Sequence, residues 1–291
     1  MSVKTIAPEK LVPDAHESAP VGRTPVAPAG KRGQTVNVVT RRILLIVPPL
    51  LLGAFILVSW YLATTIRHDR SLSLILPAPG DVFATLSDGI ASGLFLSNAL
   101  VTIQESLVGF LLAILIALPM GYGIAKSRLF AITMQPYLAA GQAIPAIVIA
   151  PVLYLVFGYG AVPIIILCTL IMLFPMVITT ALGFQTMDRA LIDAARVEGA
   201  SGWSLLAHIE FPLALPAILA ALRTGLTLSI TGALVGEFVS QGSQGLGALV
   251  LVATDQFNAP LLYATLIVLG GLAALYYSAS WLLVKLAEAI Y

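Results

Sequence analysis

The chain has 291 residues, of which 59% are hydrophobic and only 10% are charged, and its mean hydropathy is +0.98. Because one membrane helix needs roughly 20 mostly apolar residues, its several apolar runs indicate an integral membrane protein and exclude a soluble domain. The formal net charge of +1 is uninformative, and nucleic acid is not among the expected partners. The single cysteine, Cys168, allows no intrachain disulfide and is expected to be a small buried residue.

Residues 1–42 are rich in proline, alanine and charge, which predicts a disordered cytoplasmic tail. The first apolar run starts near Ile43, too far along the chain and too long for a cleavable signal. We therefore expect a membrane domain over residues 43–291.

Six membrane spans are predicted from long apolar runs that lack polar alternation, which favours helices over barrel strands. The third span is short and interrupted by Pro145 and Pro151. A short outer helix, capped by Asp81, is expected between the first two spans. The spans are predicted at 43–66, 100–122, 143–157, 162–182, 216–239 and 261–287.

Lysine and arginine near the span ends give the orientation, because cytoplasmic loops carry an excess of both. With six spans, one side receives almost all of them, and both termini are then cytoplasmic. Arg67 and Arg70 fall on the outer side, but Asp69 lies between them. The cytoplasmic set is Lys31, Arg32, Arg41, Arg42, Lys126, Arg128, Arg189, Arg196 and Lys285.

A charged segment at 187–212 separates the fourth and fifth spans. It predicts one helix over about 188–200 with Leu191, Ile192, Ala194 and Ala195 on its packing side, and a second over about 202–209 that Pro212 ends. Gly199 and Gly202 allow a bend between them. Two interpretations remain open: an amphipathic loop on the membrane surface, or a knob that docks into a soluble partner.

The spacing within this segment resembles the EAA loop of ABC importer permeases, the binding-protein-dependent inner membrane components. That pattern is Glu-Ala-Ala, three residues, Gly, nine residues, then Ile-x-Leu-Pro. Asp193 stands in place of the glutamate and Phe211 in place of the leucine; aspartate keeps the charge but has a shorter reach. The matching residues, which the resemblance assigns to docking of the ATPase, are Asp193, Ala194, Ala195, Gly199, Ile209 and Pro212.

The resemblance extends from Leu76 to the C-terminus through "LPAPGDV", "TIQESLVGF", "GQAIPAIVIAP", "FGYG" and "VGEFVSQGSQGLG". These stretches are similar to the branch that contains sulfonate, taurine, nitrate, pyrimidine-precursor and riboflavin permeases. It implies an all-α, type I-like permease fold with six membrane helices in the inner membrane. It also implies two cytoplasmic ATPase subunits that bind ATP, a second permease copy forming a homodimer, and an extracytoplasmic solute-binding protein.

Chemistry on the chain itself is not expected. No P-loop occurs, because the only Gly-Lys pair, Gly30-Lys31, lacks the flanking motif. The three histidines are scattered and there is one cysteine, so no metal site of usual spacing is expected. We expect no catalytic residue, no metal and no cofactor, with ATP hydrolysis on a separate subunit.

Ionisable residues at membrane depth face a cavity or a partner. Glu105 and Glu237, near the outer ends of the second and fifth spans, are candidates for an outer gate, and Pro145 for the translocation path. The alternative for both glutamates is an interfacial position with hydrogen bonds to backbone, Ser or Thr groups. Arg223 is expected to reach the cytoplasmic face or pair with the charged segment.

The solute is the least determined feature. Glu105 in "TIQESLVGF" and Gln142 in "GQAIPAIVIAP" look more like the riboflavin and hydroxymethylpyrimidine permeases than the taurine or nitrate ones. A sulfonate, taurine or nitrate permease is the alternative. A self-powered secondary transporter would need an internal repeat or midplane acidic cluster, and a membrane scaffold would need no kinked spans; neither class fits as well.

Overall fold

The computed structural model describes residues 38–66, 75–240 and 244–290, with side chains described for 47–64, 75–240 and 244–285. The chain divides into two compact units, Met1–Leu52 and Gly53–Tyr291. In the first unit, the described residues form the beginning of helix α1. The second unit contains every packing feature and site discussed below.

The described residues are almost entirely helical, as predicted. A short π-helical turn, π1, joins α8 to α9. The elements are α1 Val38–Ile66, α2 Pro79–Ala91, α3 Leu94–Lys126, α4 Arg128–Ala143, α5 Ala146–Phe157, α6 Ala161–Gln185, α7 Arg189–Val197, α8 Gly202–Leu205, π1 Leu206–Glu210, α9 Phe211–Val239, α10 Leu246–Asp255 and α11 Ala259–Ile290.

Within the described residues, five helical runs are long and apolar enough to cross a membrane, and a bent helix pair brings the number to six if it counts as one span. This confirms the all-α membrane fold. α1 begins at Val38, inside the segment predicted as the tail, and residues 1–37 lie outside the described residues. The outer-side residues Arg67, Asp69 and Arg70 also lie outside them.

The third predicted span, 143–157, is wrong in form. It is a pair of helices, α4 and α5, that meet at an angle of 98°. Proline disfavours the helical conformation of the residue before it, and Ile144 before Pro145 is extended, with φ −81° and ψ 120°. α4 therefore ends at Ala143, whereas Pro151 lies within α5 and does not interrupt it.

The short outer helix α2 exists, but Asp81 does not cap it. The cap residue is Ala78, whose carbonyl accepts the backbone N–H of Asp81 at 3.0 Å. Proline is favoured at the first helical position because the N–H that it lacks would have no intrahelical acceptor there. The helix therefore starts at Pro79, two residues before Asp81. Val82 is fully buried.

The centre of the fold is α6, packed between α3 and α9 at Cys168. A Cβ on Gly109 of α3 would stand 2.5 Å from Cys168 Cβ, and one on Gly232 of α9 would stand 2.8 Å from Cys168 Cα. Small residues let membrane helices approach closely, where dispersion contacts and interhelical hydrogen bonds replace the hydrophobic effect. Cys168 is fully buried, as predicted for a small packing residue.

Candidate functional site

The charged segment, here called the docking segment (187–212), folds into α7, a glycine turn and α8. Asp188 caps α7, because its Oδ1 accepts the N–H of Ala190 at 2.9 Å. At the other end, Gly199 N–H donates to the Arg196 carbonyl at 3.0 Å, and Ala200 N–H to the Ala195 carbonyl at 2.9 Å. These two bonds form a Schellman motif, whose turn residue favours glycine.

Gly199 is that turn residue, with φ +97°. Side chains other than glycine rarely adopt this conformation. No atom lies within 4 Å of the position that a Cβ on Gly199 would occupy. The backbone conformation, rather than packing within this chain, therefore requires the glycine, and the space beside it is open.

The face that α7 presents differs in part from the prediction. Ile192 is buried and Ala195 is half-buried, but Leu191 and Ala194 are exposed. Asp193 is also exposed, and its Oδ1 lies 3.3 Å from Nη1 of Arg196 one turn later. The first residues of the Asp-Ala-Ala match thus lie on the outer surface of the segment.

Large apolar side chains on the docking segment are solvent-exposed. Val197, next to the glycine turn, is 89% exposed, and Trp203 on α8 is 78% exposed. Exposed apolar groups rimmed by polar residues mark interaction surfaces. The segment thus offers a surface for a protein partner.

The prediction that Pro212 ends the second helix is wrong. The helical run Gly202–Val239 is continuous, passing through π1 into α9. A π turn inserts one extra residue into the helix, and the Phe211 N–H donates to the Leu206 carbonyl across it. Pro212, half-buried, then stands at the second residue of α9, and Ile209 lies half-buried in π1.

Glu210, at the end of π1, connects the docking segment to the membrane helix α3. It is 1% exposed and forms an ion pair with Lys126, the last residue of α3. Tyr122, one turn earlier on α3, donates its hydroxyl to Glu210 Oε2 at 3.4 Å. A buried carboxylate needs such partners to offset its desolvation.

A polar cavity of about 540 Å³ lies at this end of the helices. Its lining includes Lys126, Arg189 and Arg196, together with Asp193. Three of the cations that gave the predicted orientation therefore lie together at one end of the fold. This placement agrees with the assignment of that end to the cytoplasm.

At the other end of α9, Glu237 is fully buried and accepts hydrogen bonds from a hydroxyl and a backbone N–H. Thr102 of α3 donates its hydroxyl to Glu237 Oε1 at 2.7 Å, and the N–H of Gly247 donates to Oε2 at 2.6 Å. Gly247 is the second residue of α10, so the carboxylate caps that helix. Anionic groups are favoured at helix N-termini.

The Gly-Leu-Gly stretch before α10 fits around this carboxylate. A Cβ on Gly245 would overlap the Glu237 carboxylate, and one on Gly247 would stand 2.8 Å from its Oε2. Gly245 N–H donates to Asn98 Oδ1 at 2.9 Å, and Leu246 N–H to Thr102 Oγ1 at 2.9 Å. The glycines let the backbone approach the carboxylate closely.

Glu105 and Arg223 are the other ionisable groups predicted at membrane depth. Glu105 is 4% exposed, and its Oε2 has no hydrogen-bond partner within the described part of the chain. The Arg223 guanidinium lies over the Tyr277 ring of α11, 5.3 Å from its centroid. Its only ring partner is thus on α11, and no ion pair joins it to the described docking segment.

Pro145 lies at the bend between α4 and α5, on the wall of a second cavity of about 330 Å³. Gln142, also singled out in the sequence, lines the same cavity, as does Pro175 of α6. The structure thus brings these three residues together, while Glu105 and Glu237 lie outside the lining.

Sequence reasoning missed the Lys126–Glu210 pair and the part played by Thr102. Both charged residues were visible, but 84 positions separate them along the chain, and no pattern joins them. Thr102 gave no signal, since threonine is common in membrane helices. Within residues 38–66, 75–240 and 244–290, no group of three or more His, Cys, Asp and Glu lies close enough to hold a metal.

Comparison with known proteins assigns the chain to a family. Residues 109–291 match the model of the binding-protein-dependent transport system inner membrane component. The riboflavin transport system permease protein RibX of Chloroflexus aurantiacus is 38% identical over 231 residues, covering 79% of this chain and 85% of RibX. A probable ABC transporter permease protein of Haemophilus influenzae is 33% identical over 236 residues, covering 81% of this chain and 94% of that protein.

A solved structure shows the same fold. An inward-facing crystal form of the MetNI methionine ABC transporter aligns with a TM-score of 0.61 at 20% identity, covering 68% of this chain and 97% of the MetNI chain. Similarity at this level concerns the fold alone. Together with the family match, it confirms the predicted ABC permease architecture and inner-membrane location. The chain belongs to the family of binding-protein-dependent transport system inner membrane components, the permease subunits of ABC importers.

Proposed function

We propose that this permease imports riboflavin or a thiamine pyrimidine precursor, driven by ATP hydrolysis on a separate subunit. The observation that carries the proposal is the 38% identity to a riboflavin permease across 79% of this chain. Sulfonates, taurine and nitrate remain the competing solutes. ATP is then the cofactor of the partner, and this chain contributes the path and the coupling.

The docking segment is the proposed contact with the ATPase. Its exposed Val197 and Trp203 supply apolar contact area, and the open space beside Gly199 admits a partner surface. Asp193 and Ala194 of α7 are also exposed. These are the features that a soluble partner would bind.

The continuous helix from Gly202 to Val239 supports a mechanical role. When ATP draws the two ATPase subunits together, α8 moves with the subunit that it contacts. Because α8 passes into α9 through π1, the displacement is transmitted to a membrane helix as a rigid-body motion. The Lys126–Glu210 pair keeps α3 in contact with this helical run while it moves.

The remaining assembly is proposed from family membership. A second permease copy completes the path between the two membrane domains. A solute-binding protein delivers the solute at the outer side, where α2 and the Gly245–Gly247 stretch lie at the ends of membrane helices.

Docking is tested by Gly199→Leu, with Gly93→Leu as the matched control. Both glycines have positive φ, +97° and +76°, and neither has an atom within 4 Å of its Cβ position. Gly93 precedes α3, whose 33 residues place it roughly 50 Å from the docking segment. The backbone strain is therefore similar, but only Gly199→Leu fills the proposed contact.

We expect Gly199→Leu to abolish co-purification of the ATPase and uptake, while Gly93→Leu retains both. Membrane insertion, followed by fractionation, should persist in each variant. Uptake that survives in Gly199→Leu would rule out docking at this turn.

The solute is tested by uptake into proteoliposomes that contain the permease, its ATPase and the cognate binding protein. Labelled riboflavin, hydroxymethylpyrimidine, taurine and nitrate are compared, with ADP in place of ATP as the control. ATP-dependent accumulation of one of the first two compounds is expected. Accumulation of taurine or nitrate alone would refute the proposed solute and leave the family assignment standing.

A further inference from the structure

The cavity at the break between α4 and α5 has no assigned occupant. It measures about 330 Å³ and is also lined by residues of α6 and α9. Its lining includes Gly141, Gln142, Pro145, Phe174 and Leu228, and the remaining lining residues are apolar. Non-helical backbone at membrane depth is tolerated only where it is buried in protein or lines a cavity.

The chemistry of this lining is restricted. Among the described residues that form it, none is charged, Gln142 has the only polar side chain and Phe174 has the only aromatic one. Pro145 has no N–H, so it cannot donate to the carbonyl of Gly141 four residues earlier. The polar groups at the bend are thus an amide side chain, backbone carbonyls and the first backbone N–H groups of α5.

Such a lining discriminates among solutes. A sulfonate or nitrate ion would lose its hydration here without a cation to replace it, and an unpaired charge at membrane depth is costly. A quaternary ammonium solute is recognised by several aromatic rings around the cation, whereas this cavity has one. A neutral solute meets neither penalty.

Resting on the proposed function, we propose that this cavity is a solute site for a neutral, flat heteroaromatic ring. The Gln142 side chain offers one acceptor and two donors, which complement the ring nitrogens and the carbonyl or amino groups of a flavin or pyrimidine. Phe174 supplies an aromatic surface against which such a ring packs. The two residues approach the cavity from different helices, α4 and α6.

The position of Phe174 is set by Gly141. A Cβ on Gly141 would overlap the Phe174 ring, since three ring atoms lie closer to that position than a non-bonded contact allows. The ring therefore rests on the backbone of α4, one residue before Gln142. This contact holds the aromatic group and the amide on the same wall of the cavity.

The test uses the complete transporter in proteoliposomes, with Gln142→Leu and Phe174→Leu compared with wild type. Gln142 is exposed to the cavity, so its replacement leaves the packing intact. Gln135→Leu is the matched control, because Gln135 is exposed on the same helix but does not line the cavity. The two measurements are riboflavin or hydroxymethylpyrimidine uptake, and ATP hydrolysis stimulated by the loaded binding protein.

We expect each cavity variant to slow uptake by about 3- to 10-fold, the effect of losing one hydrogen bond or one aromatic contact. ATP hydrolysis should be unchanged, which shows that folding and docking persist. Gln135→Leu should match wild type in both measurements.

Two outcomes would overturn the inference and are distinguishable. If wild type imports riboflavin or hydroxymethylpyrimidine and both cavity variants import it equally fast, the site is wrong but the proposed function stands. If wild type imports only taurine, nitrate or an alkanesulfonate, the proposed solute and the neutral-ring site both fail.

Discussion

Two buried glutamates at opposite ends of one helical run are held by different chemistry. Glu210, just before α9, is 1% exposed and pairs with the cation of Lys126. Glu237, two residues before α9 ends, is 0% exposed and accepts from the Thr102 hydroxyl and a backbone N–H. Both link α9 to α3.

The difference indicates which end of the helix pair can move. Lys126 has a long side chain that is 35% exposed, so it can follow Glu210 through a small displacement without loss of the pair. The Glu237 carboxylate is enclosed by the backbone of Gly245 and Gly247, so displacement there requires the start of α10 to move. We infer that the outer contact is the fixed point and the cytoplasmic contact the adjustable one.

The largest expected effect is that of Glu237→Ala. It leaves the Gly247 N–H buried without its acceptor and leaves the Thr102 hydroxyl only the longer bond to the Asn98 carbonyl at 3.3 Å, at about 1–3 kcal/mol for each group. We expect the free energy of unfolding to fall by about 4 kcal/mol, measured by SDS titration of the purified permease in micelles. Glu237→Gln keeps one acceptor oxygen and should lose less. Equal stability of Glu237→Ala and wild type would show that this carboxylate does not fix the outer end.

Lys126→Met should have the next largest effect. It removes the cation but leaves Glu210 buried, which costs about 3 kcal/mol when one partner of a buried pair is lost. The double variant Lys126→Met/Glu210→Gln removes both charges and should recover much of that stability. If the double variant is as unstable as the sum of the single variants, the two residues are not coupled.

Gly247→Ala tests the enclosure of the carboxylate separately from its charge. The added Cβ would stand 2.8 Å from Glu237 Oε2 and 3.1 Å from the Leu234 carbonyl. Overpacking of this kind costs about 2 kcal/mol, to be measured as a lower thermal midpoint by tryptophan fluorescence. The matched control is Gly270→Ala on α11, where no atom lies within 4 Å of the Cβ position. Identical midpoints for the two variants would contradict the enclosure.

The sequence predicted features that depend on local chemistry. Long apolar runs located the membrane helices, and the glycine at the end of α7 predicted the bend, because only backbone conformation decides it. Prediction from the sequence failed where the outcome depends on the surrounding structure. Pro145 lies at the break between α4 and α5, whereas Pro151 and Pro212 lie within continuous helices.

Polar contacts between residues far apart in the chain could not be predicted from the sequence either. At the level of sequence, the gate hypothesis and the hydrogen-bonding alternative make the same prediction for Glu237, which is a glutamate near the outer end of the fifth span. Only the approach of Thr102, 135 positions away, and of Gly247 supplies the partners. Whether the outer end also gates the solute remains a prediction for Glu105 and Glu237.

The smallest effect on stability is expected for the exposed carboxylate of the docking segment, Asp193. Its pair with Arg196 is open to solvent, with the side chains 70% and 56% exposed, and such surface pairs contribute less than about 1 kcal/mol. Asp193→Ala should therefore melt like wild type while it weakens ATPase binding in a pull-down assay. Asp188→Ala, which removes the cap of the same helix, should do the reverse and lower stability by about 1 kcal/mol. If Asp193→Ala destabilises the permease as much as Asp188→Ala does, the exposed carboxylate has a structural role. In that case the contrast is wrong, because it holds that buried carboxylates position helices whereas the exposed carboxylate binds a partner.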